Sequence, residues 1–581
     1  MSRPLTAATL HTLQGTHTMR HSLWRAGLAL LLAAGLAGCG GGSDTATLVP
    51  PAPPAPPQNG SALTGVFWGP IGAKVTLQNS GAGDLDVTVP AFVGGPSAVN
   101  SQAFSFASPV PDGSAYQVTV KTRPAGQTCS VHAAATGTMP VATGTVKVGC
   151  ETTMDHLSRN TTDSVRGTYF DSSAVAIGGA TNGVGATSQG YGEGRFVVFV
   201  SSAAGIDGSS GAHRQIFWRD RLSGETKLIS ASPAGVQGDG DSFAPAISAD
   251  GLHVVFESYA TNLVAGDTNG VRDVFIFAID NGQLPSGLER VSVGPSGVQS
   301  NAESYGATVS GDGRVVAFSS GASNLTPGVS GINTINVFRR DRSTGTNTLI
   351  SADRGLGSGV GGDRAQLSED GNRLAFYSFS SQITAGDSNN LWDIFVYDHA
   401  AGTRVRVSLT ATGAERDQGS ESASRVVSPA ISGDGRYIAF ATTANNMVAG
   451  DTNGVQDVFV VDTTTGSVQR ASVTAAGGQG NADSPIGQGE RVALSRDGTW
   501  LAFSSSASSL GAPGGNMLLR NLRTGEIRAV SSINGGSVSA PSLSGGALYL
   551  AFGASSALDP RFTSTGLFGY FTGLGKAYFW Q

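Results

Sequence analysis

Residues 310–318 read SGDGRVVAF, a tight-turn sequence followed at once by an apolar strand that ends in Phe318. The same phrase recurs as SADGLHVVF at 248–256, SEDGNRLAF at 368–376, SGDGRYIAF at 432–440 and SRDGTWLAF at 495–503. Weaker copies, GYGEGRFVVF at 190–199 and LSGGALYLAF at 543–552, extend the series in both directions. The terminal phenylalanines are Phe199, Phe256, Phe318, Phe376, Phe440, Phe503 and Phe552, spaced 49 to 64 residues apart. An internal repeat on this scale points to a solenoid or a propeller, because one unit alone cannot bury its apolar face.

Each copy is followed by a second apolar strand: RQIFWRD, RDVFIFAID, INVFRRD, WDIFVYD, QDVFVVD, NMLLRNL and, at 576–581, KAYFWQ. Six of these are followed by a further strand, such as LERVSV at 288–293 or NTLISA at 347–352, and a short strand such as APAIS precedes the turn. Four strands per unit is the propeller blade. The expected fold is therefore all-β: a seven-bladed β-propeller over 151–581, preceded by a small immunoglobulin-like β-sandwich domain. The last unit supplies only three strands before Gln581. The missing kind occurs at Asp155-His156-Leu157-Ser158-Arg159, so this segment is expected to close the ring on the outer edge of the last blade and hide a sheet edge. The turn Asp is read as a cap for a tight turn rather than as a catalytic acid, since seven near-copies cannot all be one active site. SRDGTW at 495–500 is one residue short of a sialidase Asp box.

The run Ser-x-Asp-Gly-Arg-x-x-Ala-Phe resembles the TolB-type, WD-like propeller family over about residues 152–581. That resemblance implies protein binding or scaffolding in the cell envelope. A fold does not by itself set an activity.

The amino-terminal region reads as an export signal. Arg20, His21 and Arg25 precede an apolar run from Ala26 to Leu36, too short to span a bilayer, with Met19 an alternative start to Met1. Leu36-Ala37-Gly38-Cys39 resembles the bacterial lipobox. This implies a signal peptide over 1–38 and lipid attachment at Cys39, with palmitate among the acyl chains. Gly40 and Gly41, in place of the Asp of inner-membrane retention, imply the outer membrane by the same resemblance. Residues 39–60, GGGSDTATLVPPAPPAPPQNG after the Cys, form a Gly/Ser and polyproline tether.

Between 61 and 150, alternating stretches such as Lys74-Val75-Thr76-Leu77-Gln78 and Tyr116-Gln117-Val118-Thr119-Val120 read as half-buried strands. Cys129 and Cys150 are the only cysteines after the anchor, and in an exported chain they are expected to form a disulfide. The run PAGQTCSV resembles small immunoglobulin-like modules of bacterial surface lipoproteins, which implies a spacing or adhesive role.

Gly reaches 83 residues while the charged fraction is only 13%, as suits short strands joined by many turns. With 36 basic against 42 acidic residues and no basic run, nucleic acid is excluded as an expected partner. The expected partners are the membrane, through the lipid anchor, and another envelope protein or a surface glycan.

One further motif stands out. Gly-Asp-Thr-Asn-Gly-Val-x-Asp occurs at 266–273 and 450–457, with the variant Gly-Asp-Ser-Asn-Asn-Leu-Trp-Asp at 386–393. Asp267, Asn269 and Asp273, Asp387, Asn389 and Asp393, and Asp451, Asn453 and Asp457 offer hard oxygens for calcium. The competing reading makes Asp267, Asp387 and Asp451 Asx turns and lets Asp273, Asp393 and Asp457 start strands. His132, His156, His213, His253 and His399 are scattered without zinc-site spacing. Gly357-Ser358-Gly359 lacks the strand-to-helix setting of a nucleophile elbow. No catalytic residues are assigned. Two function classes follow: a non-catalytic binding or scaffold propeller, and a glycan- or peptide-processing hydrolase or lyase using the channel.

Overall fold

The computed structural model describes residues 60–68, 74–80, 83–88, 101–123, 127–133, 136–139, 146–152, 154–156, 175–178, 194–221, 224–280, 283–329, 334–418, 427–485, 491–511, 516–530, 538–545, 547, 549–554 and 566–571. The signal peptide, Cys39 and all but the last residue of the tether lie outside them.

The protein is all-β and carries a propeller. Seven four-stranded antiparallel sheets follow the small amino-terminal module. Blade 1 comprises Val175–Gly178, Phe196–Ser201, Gln215–Asp220 and Thr226–Leu228. Blade 2 comprises Ser242–Ile247, His253–Ser258, Asp273–Asp280 and Gln283–Arg290. Blades 3 to 6 occupy 304–349, 363–406, 430–470 and 493–529. The first strand of each blade contacts the first strand of the next, and that of the last blade, Val538–Leu543, contacts Val175–Gly178. The seven first strands thus form a closed ring about a central axis.

Blade 7 is completed as the repeat pattern requires. Met154–His156 pairs with Gly566–Phe571 on the outer edge of the sheet, Asp155 opposite Gly569. One assignment is corrected: the third strand of this blade is Gly566–Phe571, not the KAYFWQ segment at 576–581, which lies outside the described residues. Register explains the choice. Phe552 stands opposite Phe568, just as Phe256 stands opposite Phe275 and Phe318 opposite Phe338.

These cross-strand phenylalanine pairs fill the blades. Ring centroids lie 5.6 Å apart for Phe199 and Phe217, 5.8 Å for Phe256 and Phe275, and 5.9 Å for Phe318 and Phe338. Such pairs contribute about 0.5–1.5 kcal/mol each beyond their buried area. Second and third strands are buried at every residue in blade 1, because neighbouring blades cover both faces.

The Ser-x-Asp-Gly turn joins first to second strand and also joins blade to blade. Ser310 Oγ donates to Asp312 at 2.7 Å, and the Arg314 amide donates to the same carboxylate at 3.0 Å. The turn Asp is therefore a backbone cap. The turn Gly has a second reason. Gly313 has φ +71°, and a Cβ there would lie 2.2 Å from the His253 ring of blade 2. At Gly194 a Cβ would lie 2.1 Å from Tyr549, which packs blade 7 onto blade 1.

The small module has two four-stranded sheets over one core that includes Leu63, Phe67, Val75, Leu77, Val118 and Val148. Val146–Thr152 pairs in parallel with Thr64–Trp68 and antiparallel with Gln127–Ala133, setting Cys129 opposite Cys150.

Candidate functional site

Antiparallel topology gives the propeller two unlike ends. One carries the Ser-x-Asp-Gly turns. The other carries the loops from second to third strand and from each fourth strand to the next blade.

At the turn end the second turn residue of successive blades forms a hydrogen-bonded belt. The Gly311 amide donates to the Glu369 carbonyl at 2.7 Å, Glu369 to Gly433 at 2.9 Å, Gly433 to Arg496 at 2.8 Å and Arg496 to Gly545 at 2.7 Å. Only Glu369 and Arg496 carry long side chains among these positions, and they meet each other. Arg496 Nε lies 2.5 Å from Glu369 Oε2. The pair spans blade 5 directly over Gly433, where a Cβ would lie 2.6 Å from Arg496 and 2.9 Å from Glu369. Burial raises the Glu369 carboxyl above its ordinary value, with Arg496 opposing the rise.

At the loop end the first strands of blades 2, 3 and 4 are bulged, and the bulges hold Ala244 at φ +44°, Gly306 at φ +64° and Arg364 at φ +56°. Bulges re-aim side chains and are frequent beside functional sites. Here they present aromatic rings to guanidinium groups of the preceding blade. Arg214 lies 5.1 Å from the Phe243 ring, and Arg272 lies 4.6 Å from the Tyr305 ring. Arg272 is also paired with Glu257 at 3.1 Å and Glu303 at 3.2 Å. Tyr259 meets Phe243 edge to face and donates its hydroxyl to Glu303 at 2.9 Å. Burial, then the neighbouring Asp363, pushes the Tyr305 hydroxyl well above its ordinary range.

The exposed large hydrophobic residues share this end. Val236, Tyr259, Val298, Leu356 and Phe379 all lie in its loops, and Leu356 is 91% exposed. Among the described residues only Val405, on the outer strand Thr403–Arg406, is placed elsewhere. Sequence reasoning missed this shared placement because the residues come from the loops of different blades.

The motif proposed for calcium lies at the same end. Asp273, Asp393 and Asp457 do start strands. Asx bonds lie on the asparagines, where Val271, Leu391 and Val455 amides donate to Asn269, Asn389 and Asn453, and also on Asp451, which accepts from the Asn453 amide. Asn269 and Asn453 turn their amide nitrogens toward Asp273 and Asp457, at 2.9 and 2.8 Å. An arginine lies between the carboxylates. Arg290 Nη1 is 3.0 Å from Asp267 and 3.5 Å from Asp273; Arg406 Nη1 is 2.9 Å from Asp387 and 3.3 Å from Asp393; Arg470 Nη1 is 2.7 Å from Asp451 and 3.6 Å from Asp457. Burial first, with the neighbouring aspartate adding, raises Asp267 and Asp387; burial also raises Asp451. A donor set already facing a guanidinium, with an amide NH₂ turned inward, does not fit a calcium shell. Among the described residues no group of three or more acidic, His or Cys side chains is placed to hold a metal.

No family model matches the chain, and no curated protein matches it. Solved propellers do. TolB from Acinetobacter baumannii is similar at 16% identity, over 54% of this chain and 61% of that one, with a TM-score of 0.30. A putative TolB from Agrobacterium tumefaciens matches at 17% identity over 53% and 84% of the two chains, with a TM-score of 0.31. The β-propeller domain of the Trilobed protease from Pyrococcus furiosus matches at 11% identity over 68% and 95%, with a TM-score of 0.39. This chain thus spans less than two thirds of the Acinetobacter protein. The propeller assignment rests on the sheets and ring contacts of the chain itself.

Proposed function

We propose that this protein is an envelope-anchored lipoprotein whose propeller binds another envelope protein, without catalysis, through the loop end of blades 2 to 4. The observation that carries the reading is the gathering of Val236, Tyr259, Val298, Leu356 and Phe379 at that end, beside Arg214 and Arg272. Contiguous exposed apolar side chains mark association surfaces, and Tyr, Trp and Arg are the residues enriched among binding hot spots. At the opposite end the turns are tied to one another by the belt and the Glu369–Arg496 pair, which favours the loop end as the working face. Anchoring to the outer membrane at Cys39 is supported by the lipobox-like context. A Cys129–Cys150 disulfide is supported by their facing register and by the disulfide-bonded state of Cys129.

The test is crosslinking in intact envelopes with Leu356→Asp and Phe379→Ala. Both side chains are exposed, so stability is expected to change by no more than about 0.5 kcal/mol. Recovery of the crosslinked partner is expected to fall about 10-fold, the equivalent of roughly 1.4 kcal/mol. Unchanged recovery with both variants would sink the assignment of this surface.

A further inference from the structure

We infer that the Gly-Asp-(Thr/Ser)-Asn loops of blades 2, 4 and 5 are cation cradles whose resident cation is an arginine of the same blade, so that the native chain takes no divalent ion there and loss of the arginine opens the cradle to one.

The first support is geometric. One guanidinium nitrogen gathers three side-chain oxygens in each blade. Arg406 Nη1 lies 2.9 Å from Asp387, 3.3 Å from Asp393 and 2.9 Å from Glu415, and blade 4 adds a second buried arginine, Arg416, 3.3 Å from Asp393. Arg290 Nη1 adds Gln299 at 3.0 Å to its two aspartates, and Arg470 Nη1 adds Gln479 at 3.0 Å. Carboxylate and amide oxygens are the ligands that hard divalent cations take. Burial opposes the charge on Arg406, yet the Glu415 hydrogen bond and Asp393 and Asp387 hold it above its ordinary range.

The second support is independent and comes from the repeats themselves. Arg290, Arg406 and Arg470 stand opposite the third-strand phenylalanines Phe275, Phe395 and Phe459. In blades 1, 3 and 6 the equivalent fourth-strand residues are Leu228, Leu349 and Ala529. The first residue of the third strand changes with them. It is Asp273, Asp393 or Asp457 where the arginine is present, and Gln215, Asn336 or Asn516 where it is absent. All six are almost completely buried. In these six blades a buried carboxylate occurs only with its arginine. A metal would supply the positive charge without needing that coupling. A lone buried carboxylate is costly, so the two positions change as a unit.

The test is thermal unfolding of the full chain in calcium chloride and in chelator, with bound metal measured by atomic emission. The wild type is expected to melt at one temperature in both and to retain no calcium. Arg470→Ala, in blade 5 where among the described residues no second arginine is paired with the aspartates, is expected to melt lower in chelator, to regain about 3 °C in calcium, and to bind about one ion per chain. If it folds only when calcium is present, that too supports the inference. The double variant Asp457→Asn/Arg470→Leu, which copies the pair found in blade 3, is expected to fold without any response to calcium. A wild type that binds calcium or is destabilised by chelator would overturn the inference. So would an Arg470→Ala protein that calcium neither binds nor rescues.

Discussion

The two ends of the propeller are built on opposite principles. The turn end repeats: Ser, Asp and Gly recur at the same places in blades 2 to 6 with the same Ser-to-Asp bond, and in blades 3 to 6 the Gly lies against the second strand of the preceding blade. The loop end varies. Aromatic rings gather in blades 2 to 4, arginine cradles in blades 2, 4 and 5, and apolar hairpin tips along one arc. Repetition marks what every blade needs to stand beside its neighbour. Variation marks what the molecule presents to something else. Propellers in general tolerate this division, because strand pairing fixes the sheet whatever the loops contain.

The sharpest way to break this comparison is a matched pair of glycines. Gly498 at the turn end has φ +64°, and Gly454 at the loop end has φ +66°. A Cβ at Gly498 would lie 2.2 Å from the Tyr437 ring, whereas at Gly454 it would meet nothing within 4 Å. Both Ala variants carry the strain of a positive φ, about 1 kcal/mol. Gly498→Ala is expected to lose about 2 kcal/mol more, because a packed ring must move. Urea unfolding of the two variants measures the difference; equal losses would mean that the turn glycine serves conformation alone.

A smaller effect is expected at the axis. Glu369→Ala removes the partner of Arg496 and should cost about 1 kcal/mol. The double variant with Arg496→Ala should cost less than the sum of the two singles, as a double-mutant cycle reads directly. Strict additivity would show that the pair does not act across Gly433.

The smallest effect separates blade 4 from its sister cradles. Hydrogen bonds from the Ser388 backbone and hydroxyl, with Arg406 adding, hold the Glu415 carboxyl down to about 2 from an ordinary value of 4.5. A carboxyl depressed in the folded state contributes stability that is complete above its unfolded pKa and lost as the pH falls through the folded one. The contribution of Glu415 should therefore fade between about pH 4.5 and pH 2. Blades 2 and 5 have Gln299 and Gln479 in the same place, bonded to their own arginines. Glu415→Gln should lower stability at pH 7, where the carboxylate contributes in full, and make the acid limb of a pH–stability profile shallower in that window. An unaltered acid limb would show that the carboxylate is not held by the cradle.

What the sequence made legible follows the same division. The turns could be read because their bonds run within a few consecutive residues, as from Ser310 to Asp312 to Arg314. Closure could be read because the missing strand type recurred near His156. KAYFWQ and GLFGYF are equally plausible aromatic strands by pattern, and each offers a phenylalanine to face Phe552; the observed register selects Phe568. The loop end was illegible because its partners are distant, as with Tyr259 and Glu303 or Arg272 and Tyr305. The arginine cradles did leave a trace in the chain. RVSV, RVSL and RASV follow the Gly-Asp motif in blades 2, 4 and 5, where blades 1 and 3 read LISA. Aligning the repeats on both segments at once would have exposed the coupling of Asp with Arg.

The outer strand of blade 7 brings timing into the molecule. Met154–His156 leaves the ribosome early, but its strand partner, Gly566–Phe571, arrives roughly 400 residues later. Pairing over such a separation is slow, and until it happens the last sheet exposes an unpaired edge. The ring can lock only after nearly the whole chain has been delivered. A chain interrupted before Gly566 would leave Met154–His156 without this strand partner and the seam open.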